Sequence, residues 1–160
     1  MRLTLPPGVH RAALRIAHGL RLAWWRVRRP EIRGCNAVVI NAAGEVLLVR
    51  HSYQSSKLWM LPGGGIARGE TPDAAAVREV AEEAACRLVG VRAVGVETVR
   101  TSGARNHIHL VVARTADEPR PDGREIVAAA FFAPDALPAT TACASRRRVA
   151  RCLGLQNSAS

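Results

Sequence analysis

From Gly8 to Arg29 the apolar residues Val9, Ala13, Ile16, Leu20, Trp24 and Val27 recur at three- and four-residue steps, the spacing that lines one face of an amphipathic helix. Arg11, Arg15, His18, Arg21, Arg26, Arg28 and Arg29 fall on its other faces, where Leu14, Leu22 and Trp25 interrupt the basic side. Such a helix either docks on its own domain or lies against an anionic membrane surface or a nucleic acid, and Pro30 ends it in each case. Past Pro30 the period changes from helical to extended. Cys35–Ile40 is rich in β-branched residues, Asn41–Gly44 has turn composition, and Glu45–Arg50 returns as a second apolar run; together they predict a β-hairpin. The apolar stretch Leu58–Leu61 then runs into Pro62-Gly63-Gly64-Gly65, a cluster that permits unusual backbone angles and close approach. Thr71 is a suitable N-cap, Pro72 suits the first helical turn, Asp73 complements the helix dipole, and Ala74–Ala85 is mostly strong helix formers, so a helix ending near Cys86 is predicted. Strand patterns follow at Leu88–Thr101, with a break near Gly90 or Gly95, at His107–Arg114 and at Glu125–Phe132. The polar loop Thr115–Arg124, a turn between Pro134 and Pro138, and a final helix over Thr141–Leu153 complete the chain.

This mixture of hairpins and helices predicts an α/β (α+β) class: a sheet covered by helices on both faces. Three parts are expected: a basic helical extension over 1–30, a domain over 31–155 and a tail over 156–160. Composition agrees, since 160 residues with 48% hydrophobic content suit one domain with a full core. The longest stretch without a charge, Gly34–Gly44, has 11 residues, short of the roughly 18 needed to span a membrane. Arg11 and Arg15 stand where the apolar centre of a secretory signal would fall, so a cytoplasmic location is expected. With 23 basic and 13 acidic residues the net charge is +10, and every basic residue except Lys57 is arginine. That field attracts anions, although an Arg and Ala bias of this kind also reflects a GC-rich genome. Cys35, Cys86, Cys143 and Cys152 are far apart, with no C-x-x-C pair; this argues against a zinc site or disulfide scaffold and for reduced thiols.

Within the central helix Glu79, Glu82 and Glu83 stand at i, i+3 and i+4, which places three carboxylates on one stripe. Like charges so close repel unless they face solvent or a cation. A hard divalent ion such as magnesium prefers oxygen ligands and bridges protein carboxylates to phosphates. Reading on from Gly64, five residues lead to Glu70, and seven more lead to Arg78-Glu79-Val80-Ala81-Glu82-Glu83-Ala84-Ala85-Cys86. This segment resembles the Nudix box, whose final Gly is here Ala85 and whose last aliphatic is Cys86. The resemblance extends from about Arg33 to Leu153 and implies the Nudix fold, an α/β/α sandwich with a mixed sheet, carrying a loop-helix-loop metal site. It implies that Glu79, Glu82 and Glu83 are metal ligands and catalytic, with Mg2+ or Mn2+ as cofactor. It also implies that Glu70 and Arg78 brace the loop through a salt bridge and that Gly64 allows the turn. Ala85 puts the helix terminus in doubt, since alanine in a left-handed cap costs on the order of 1 kcal/mol and the helix is free to end differently.

By the same resemblance an extra catalytic Glu is expected beyond the box, with Glu125 best placed to supply it. His107 and His109 alternate on one strand face, with Arg100 and Arg105 near in sequence as phosphate partners. Trp59 and Tyr53 flank the box entrance as base-stacking residues, and Arg50 and His51 are further substrate candidates; packing or surface roles compete with each of these assignments. The Arg146-Arg147-Arg148 run with Arg151 reads as a solvated helix face. The implied activity is a metal-dependent pyrophosphohydrolase acting on a nucleoside diphosphate linked to another moiety. Thr101 and Ser102–Ala104 stand where some members carry the proline or tyrosine that marks ADP-ribose or dinucleotide substrates, which leaves nucleoside triphosphates ahead of nucleotide sugars and RNA. The alternative is a non-catalytic nucleotide sensor, or an RNA- or membrane-associated module targeted by residues 8–29. A nucleotide is the expected partner; RNA has no base-reading motif behind it, and a homodimer through the N-terminal helix is open.

Overall fold

β1 (Glu31–Ile40) and β2 (Val46–His51) form the predicted hairpin, closed at Ile40 opposite Val46. Asn41 makes the turn: its Oδ1 accepts from the backbone N–H groups of Ala43 and Glu45 at 3.0 and 2.9 Å, the local bonding that favours Asn in turns. The structure, a computed structural model, describes residues 31–52, 58–101 and 104–154. The predicted N-terminal helix, the membrane and dimer contacts tied to it, Tyr53 and the tail lie outside the described residues. After the hairpin come α1 (Pro72–Ala84), β3 (Val89–Thr101), β4 (Ala104–Arg114), β5 (Ile126–Phe132) and α2 (Cys143–Leu153).

The five strands lie in the order β3-β4-β1-β2-β5, with β1 and β4 parallel and the other pairs antiparallel, so the sheet is mixed as expected. β3 is not broken at its glycines; its register with β4 shifts between Val89 and Arg92 and between Ala93 and Gly95, two irregularities that bend the strand without ending it.

Alternation along the inner strands builds two cores. Cys35, Ala37, Val39 and Leu47 pack with Ala75, Ala76, Val80 and Ala84 of α1. Val38, Val46 and Leu48 point to the opposite face and meet Leu61, Leu137 and Val149 of α2. Helices on both faces explain why Ala37–Ile40 of β1 and Val46–Val49 of β2 are continuously apolar. Leu47 and Leu48 are fully buried, each worth about 1.5–3 kcal/mol relative to exposure.

Beyond the hairpin β1 and β2 splay apart, and the segment 59–66 is stitched between them. Val49 and Met60 exchange backbone hydrogen bonds of 2.8 and 2.9 Å, Ala37 N–H donates to Pro62 O and Cys35 N–H to Gly64 O, each at 2.9 Å, and Ile66 N–H donates to Arg33 O at 3.0 Å. The apolar stretch Leu58–Leu61 thus leads the glycine cluster into the middle of the sheet.

The basic run on α2 is not wholly a solvated face. Arg148 is buried: its Nε donates to Glu97 at 2.9 Å and its Nη1 to Asn36 at 2.7 Å, while Arg151 reaches the other Glu97 oxygen at 3.2 Å. A guanidinium is tolerated there because a carboxylate and an amide oxygen compensate it. Among the described residues no helix is long and apolar enough to cross a membrane, and Cys35 and Cys86 are buried free thiols.

Candidate active site

The helix that carries the three glutamates begins as its sequence predicts. Thr71 Oγ1 accepts from Ala74 N–H at 3.2 Å, with Pro72 in the first turn. It ends with Ala85 at φ 55° and ψ 28°, its N–H bonded to Ala81 O. The left-handed cap is therefore kept although alanine occupies it, and Ala85 is alone among the described non-glycine residues in having positive φ.

Arg78 gathers the loop before the helix. Its Nε and Nη2 make a fork onto the two Glu70 oxygens at 2.9 and 3.0 Å, and Nη2 also donates to Gly65 O at 2.9 Å. Nη1 holds Glu79 Oε1 at 2.7 Å and lies 3.6 Å from Glu82. Glu70 in turn accepts from Ala67 N–H at 2.8 Å. The hydrogen bond from Arg78, then that from Ala67, hold the Glu70 carboxyl below its usual range.

Two glycines bring this loop against the helix and the sheet for different reasons. Gly63 has φ +149°, and a Cβ there would overlap Cys35 O and crowd Asn36. Gly64 has no positive φ; a Cβ on it would fall inside the Glu79 carboxylate. What Gly64 contributes is clearance for Glu79, not the left-handed angle expected of a turn glycine.

Glu83 differs most from an ordinary surface carboxylate. Its side chain is 9% exposed, and its Oε2 accepts from Gly63 N–H at 3.0 Å. Burial pushes its pKa up to about 8; the Gly63 bond opposes the shift, while the charges of Glu79, Glu125 and Glu82 add to it. His51 Nε2 lies 3.8 Å from Glu83 Oε1, and burial lowers the His51 pKa. Each burial effect favours a neutral group, so this contact is no strong ion pair near neutral pH.

A cavity of about 830 Å3 opens over these groups; Glu79, Glu83, Glu125 and His51 line it, as do Ile32, Asn106 and Ile108 and the charged Glu31, Arg33 and Arg68. Glu82 lies outside it, with its side chain 62% exposed. All four glutamates offer hard oxygen donors, and burial, with the nearby carboxylates adding to it, is what raises the Glu83 pKa. A divalent cation fits that donor set. As the side chains stand, no three His, Cys, Asp or Glu residues among those described are drawn into a cage, so ion binding requires carboxylates such as the exposed Glu82 and Glu125 to close in.

The weaker substrate candidates lie off this cavity. The Arg50 guanidinium sits 5.3 Å over the Trp59 ring, which packs edge-on against Phe132 at 4.9 Å in the α2-side core. Arg105 pairs with Glu31 at 3.2 Å, and His107 Nδ1 lies 3.0 Å from Thr98 Oγ1. Arg100 stands opposite Arg105 in the β3/β4 register. Burial lowers the His109 pKa, helped by the charges of Arg33 and His107. Sequence reasoning discounted His51 and passed over Asn106; Gly63 stands within the glycine cluster it singled out, and the close approach to Cys35 and Asn36 is of the kind that cluster permits. No sequence signal marked Asn106, which stands between Arg105 and His107 just before the predicted strand His107–Arg114.

Residues 30–152 match the family model described as the NUDIX domain. The chain is similar to an RNA pyrophosphohydrolase of Rhodospirillum rubrum, 41% identical over 58 residues that cover 36% of this chain and 34% of that one. That match spans only about a third of the relative's length. It is also similar to a Bacillus subtilis protein provisionally named an 8-oxo-dGTP diphosphatase, 30% identical over 107 residues, covering 66% of this chain and 69% of that one. Among solved structures it resembles a MutT NUDIX hydrolase from Burkholderia pseudomallei, with 26% identity, a TM-score of 0.66, and coverage of 74% of this chain and 95% of that one.

Proposed function

Because the chain belongs to the Nudix family, we propose that it is a divalent-metal-dependent pyrophosphohydrolase that cleaves the diphosphate of a nucleoside diphosphate linked to another moiety, with nucleoside triphosphates as the first substrates to test. The observation that carries this reading is the buried Glu83 carboxyl, which lines with Glu79 and Glu125 a cavity large enough for a nucleotide.

Glu79, Glu82 and Glu83 would hold the ion, magnesium or manganese, with Glu125 as a further oxygen donor or general base. When bound, such an ion offsets the negative charge of the diphosphate and makes a water acidic enough to attack phosphorus near neutral pH. The remaining work belongs to the chain. Gly63 N–H fixes the outer oxygen of Glu83, and Arg78 aims Glu79 while tying it to Glu70 and the loop. Glu125 is exposed next to Ile126, and its backbone oxygen accepts from Ser52 N–H at 2.8 Å; that bond anchors its strand end beside His51. A base at that rim accepts a proton from water without leaving solvent contact.

Removal of pyrophosphate from 5′-triphosphorylated RNA is a second reading, favoured by the Rhodospirillum rubrum similarity and by the +10 charge. The test is phosphate or pyrophosphate release with magnesium across nucleoside triphosphates, nucleotide sugars, dinucleotides and triphosphorylated RNA. Turnover that disappears in Glu83→Gln and Glu82→Gln, with circular dichroism unchanged, supports the reading. Undiminished turnover in both variants refutes the site.

A further inference from the structure

We propose that Ser145 and Arg148 are positioning residues for the acidic site: from the far face of the sheet, the buried side of α2 sets the segment 59–63 and, through Gly63 N–H, the Glu83 carboxylate. This rests on the reading above that Glu83 helps to hold the ion. The first observation is the character of that buried side. The buried residues of α2 are Ser145, Arg148 and Val149, so most of them are polar. A helix that only covers a core needs apolar side chains there, and a buried polar group costs free energy unless it is bonded. Both are bonded, and both along the route that leads to the site.

The second observation is the order of those bonds. Trp59 N–H donates to Thr140 O at 3.0 Å, and Ala142 N–H donates back to Trp59 O at 2.9 Å, just ahead of the helix. Ser145 Oγ accepts from Leu61 N–H at 3.1 Å. Arg148, three residues on and so on the same face, donates from Nη1 to Asn36 Oδ1 at 2.7 Å. Asn36 is what Gly63 rests on: a Cβ built on Gly63 would come 2.9 Å from Asn36 Nδ2 and 3.0 Å from Asn36 Cα. Residues 59, 61 and 63 are thus held in turn by successive positions of α2 and its lead-in, and Glu97 fixes Arg148 from the other side at 2.9 Å.

The third is where the segment delivers this constraint. Gly63 N–H donates to Glu83 Oε2 at 3.0 Å, and Glu83 belongs to α1, which packs on the opposite face of the sheet from α2. The contacts therefore cross the sheet through the gap where β1 and β2 splay. A displaced segment carries Gly63 N–H away from Glu83, and the outer partners of a ligand tune how well it binds an ion.

The test compares the full-length wild type with Ser145→Ala, Arg148→Lys and Arg151→Ala. Lysine keeps the charge beside Glu97 but lacks the fork that serves Glu97 and Asn36 at once. Arg151→Ala also removes a Glu97 contact but leaves both tethers intact, so it reports a merely structural effect. Amide hydrogen exchange at Gly63, measured against the core amides of Val38 and Leu48, should be at least about 10-fold faster in Ser145→Ala and Arg148→Lys and unchanged in Arg151→Ala. Magnesium affinity by titration calorimetry should fall about 10-fold in the same two variants and hold in Arg151→Ala. In turnover at saturating magnesium those two variants should lose kcat with the nucleotide KM unchanged. The proposal is overturned if Gly63 exchanges as in the wild type in both variants, or if both bind magnesium as the wild type does. A wild type that neither binds magnesium nor hydrolyses anything on the panel would sink the hydrolase reading. Gly63 exchange would then decide alone: faster exchange in the two variants keeps the brace, and unchanged exchange overturns it.

Discussion

Replacing Ala85 by glycine should stabilise this protein. Ala85 closes α1 at φ 55°, a conformation that costs an L-residue roughly 1–2 kcal/mol because its Cβ crowds the following carbonyl. Glycine escapes that cost but loses more backbone entropy on folding, about 0.5–1 kcal/mol. Ala85 is exposed, so its methyl group buries no apolar area whose loss would enter the balance. The difference leaves about 0.5–1 kcal/mol in favour of Ala85→Gly. For a chain of this size that is an increase in Tm of about 1–4 °C, with a higher urea midpoint and an unchanged slope m. The control is Ala81→Gly, an exposed position inside the same helix. There φ is helical and glycine should cost about 1 kcal/mol. Opposite signs for the two substitutions would identify the left-handed cap as the cause. A midpoint for Ala85→Gly that stays level or falls, while Ala81→Gly falls, would refute the claim that this cap stores strain.

Gly64→Ala places a methyl group against the Glu79 carboxylate; turnover should drop at least about 10-fold while Tm moves by only a few degrees, checked by kinetics and thermal melts on one preparation. Gly63→Ala meets backbone instead, at φ +149°, and should cost at least about 2 kcal/mol in urea unfolding. Arg148→Ala leaves Glu97 with Arg151 as its remaining ion-pair partner among the described residues and should cost about 2 kcal/mol. For Glu97 itself burial raises the pKa, but Arg148 and Arg151 outweigh it, so the folded value lies below the ordinary 4.5. A depressed acid contributes stability above about pH 4.5 and loses it as pH falls through the folded value, so Glu97→Gln should flatten the acid limb of a stability-versus-pH curve below that point. Magnesium should raise the Tm of the wild type in proportion to the logarithm of its concentration and leave that of Glu83→Gln unmoved; equal shifts in both would place the ion elsewhere.

What could be read along the chain was local or periodic. Thr71, Pro72 and the alanine-rich run specify α1 because capping and propensity act within one turn. The hairpin follows from Asn41 bonding its own neighbours, and helix geometry puts Glu79, Glu82 and Glu83 on one stripe, whereas the brace between Glu70 and Arg78 was legible only through the resemblance of the whole segment to the Nudix box. The mixture of hairpins and helices already pointed to a sheet covered on both faces, and the consecutive apolar residues Ala37–Ile40 and Val46–Val49 agree with such a cover.

Tertiary structure alone decided which of the charged residues matter and how. Arg146, Arg147 and Arg148 are equivalent in sequence, yet Arg148 is the one buried against Glu97 and Asn36, 51 and 112 residues away. Glu82 and Glu83 are adjacent, yet one is exposed and the other buried with a raised pKa. That difference arises because residues 59–66 thread between β1 and β2 and bring Gly63 onto Glu83. Arg50, Trp59 and His107 carry the residue types of a nucleotide site but find partners away from the cavity, and Arg105, off its lining, pairs with Glu31 on it, while Asn106, unremarkable in sequence, lines it. Strand register and the route of a loop are global choices, set by how the apolar sides of distant segments pack together. A sequence states those preferences one segment at a time, and only the packed chain shows which of them are met together.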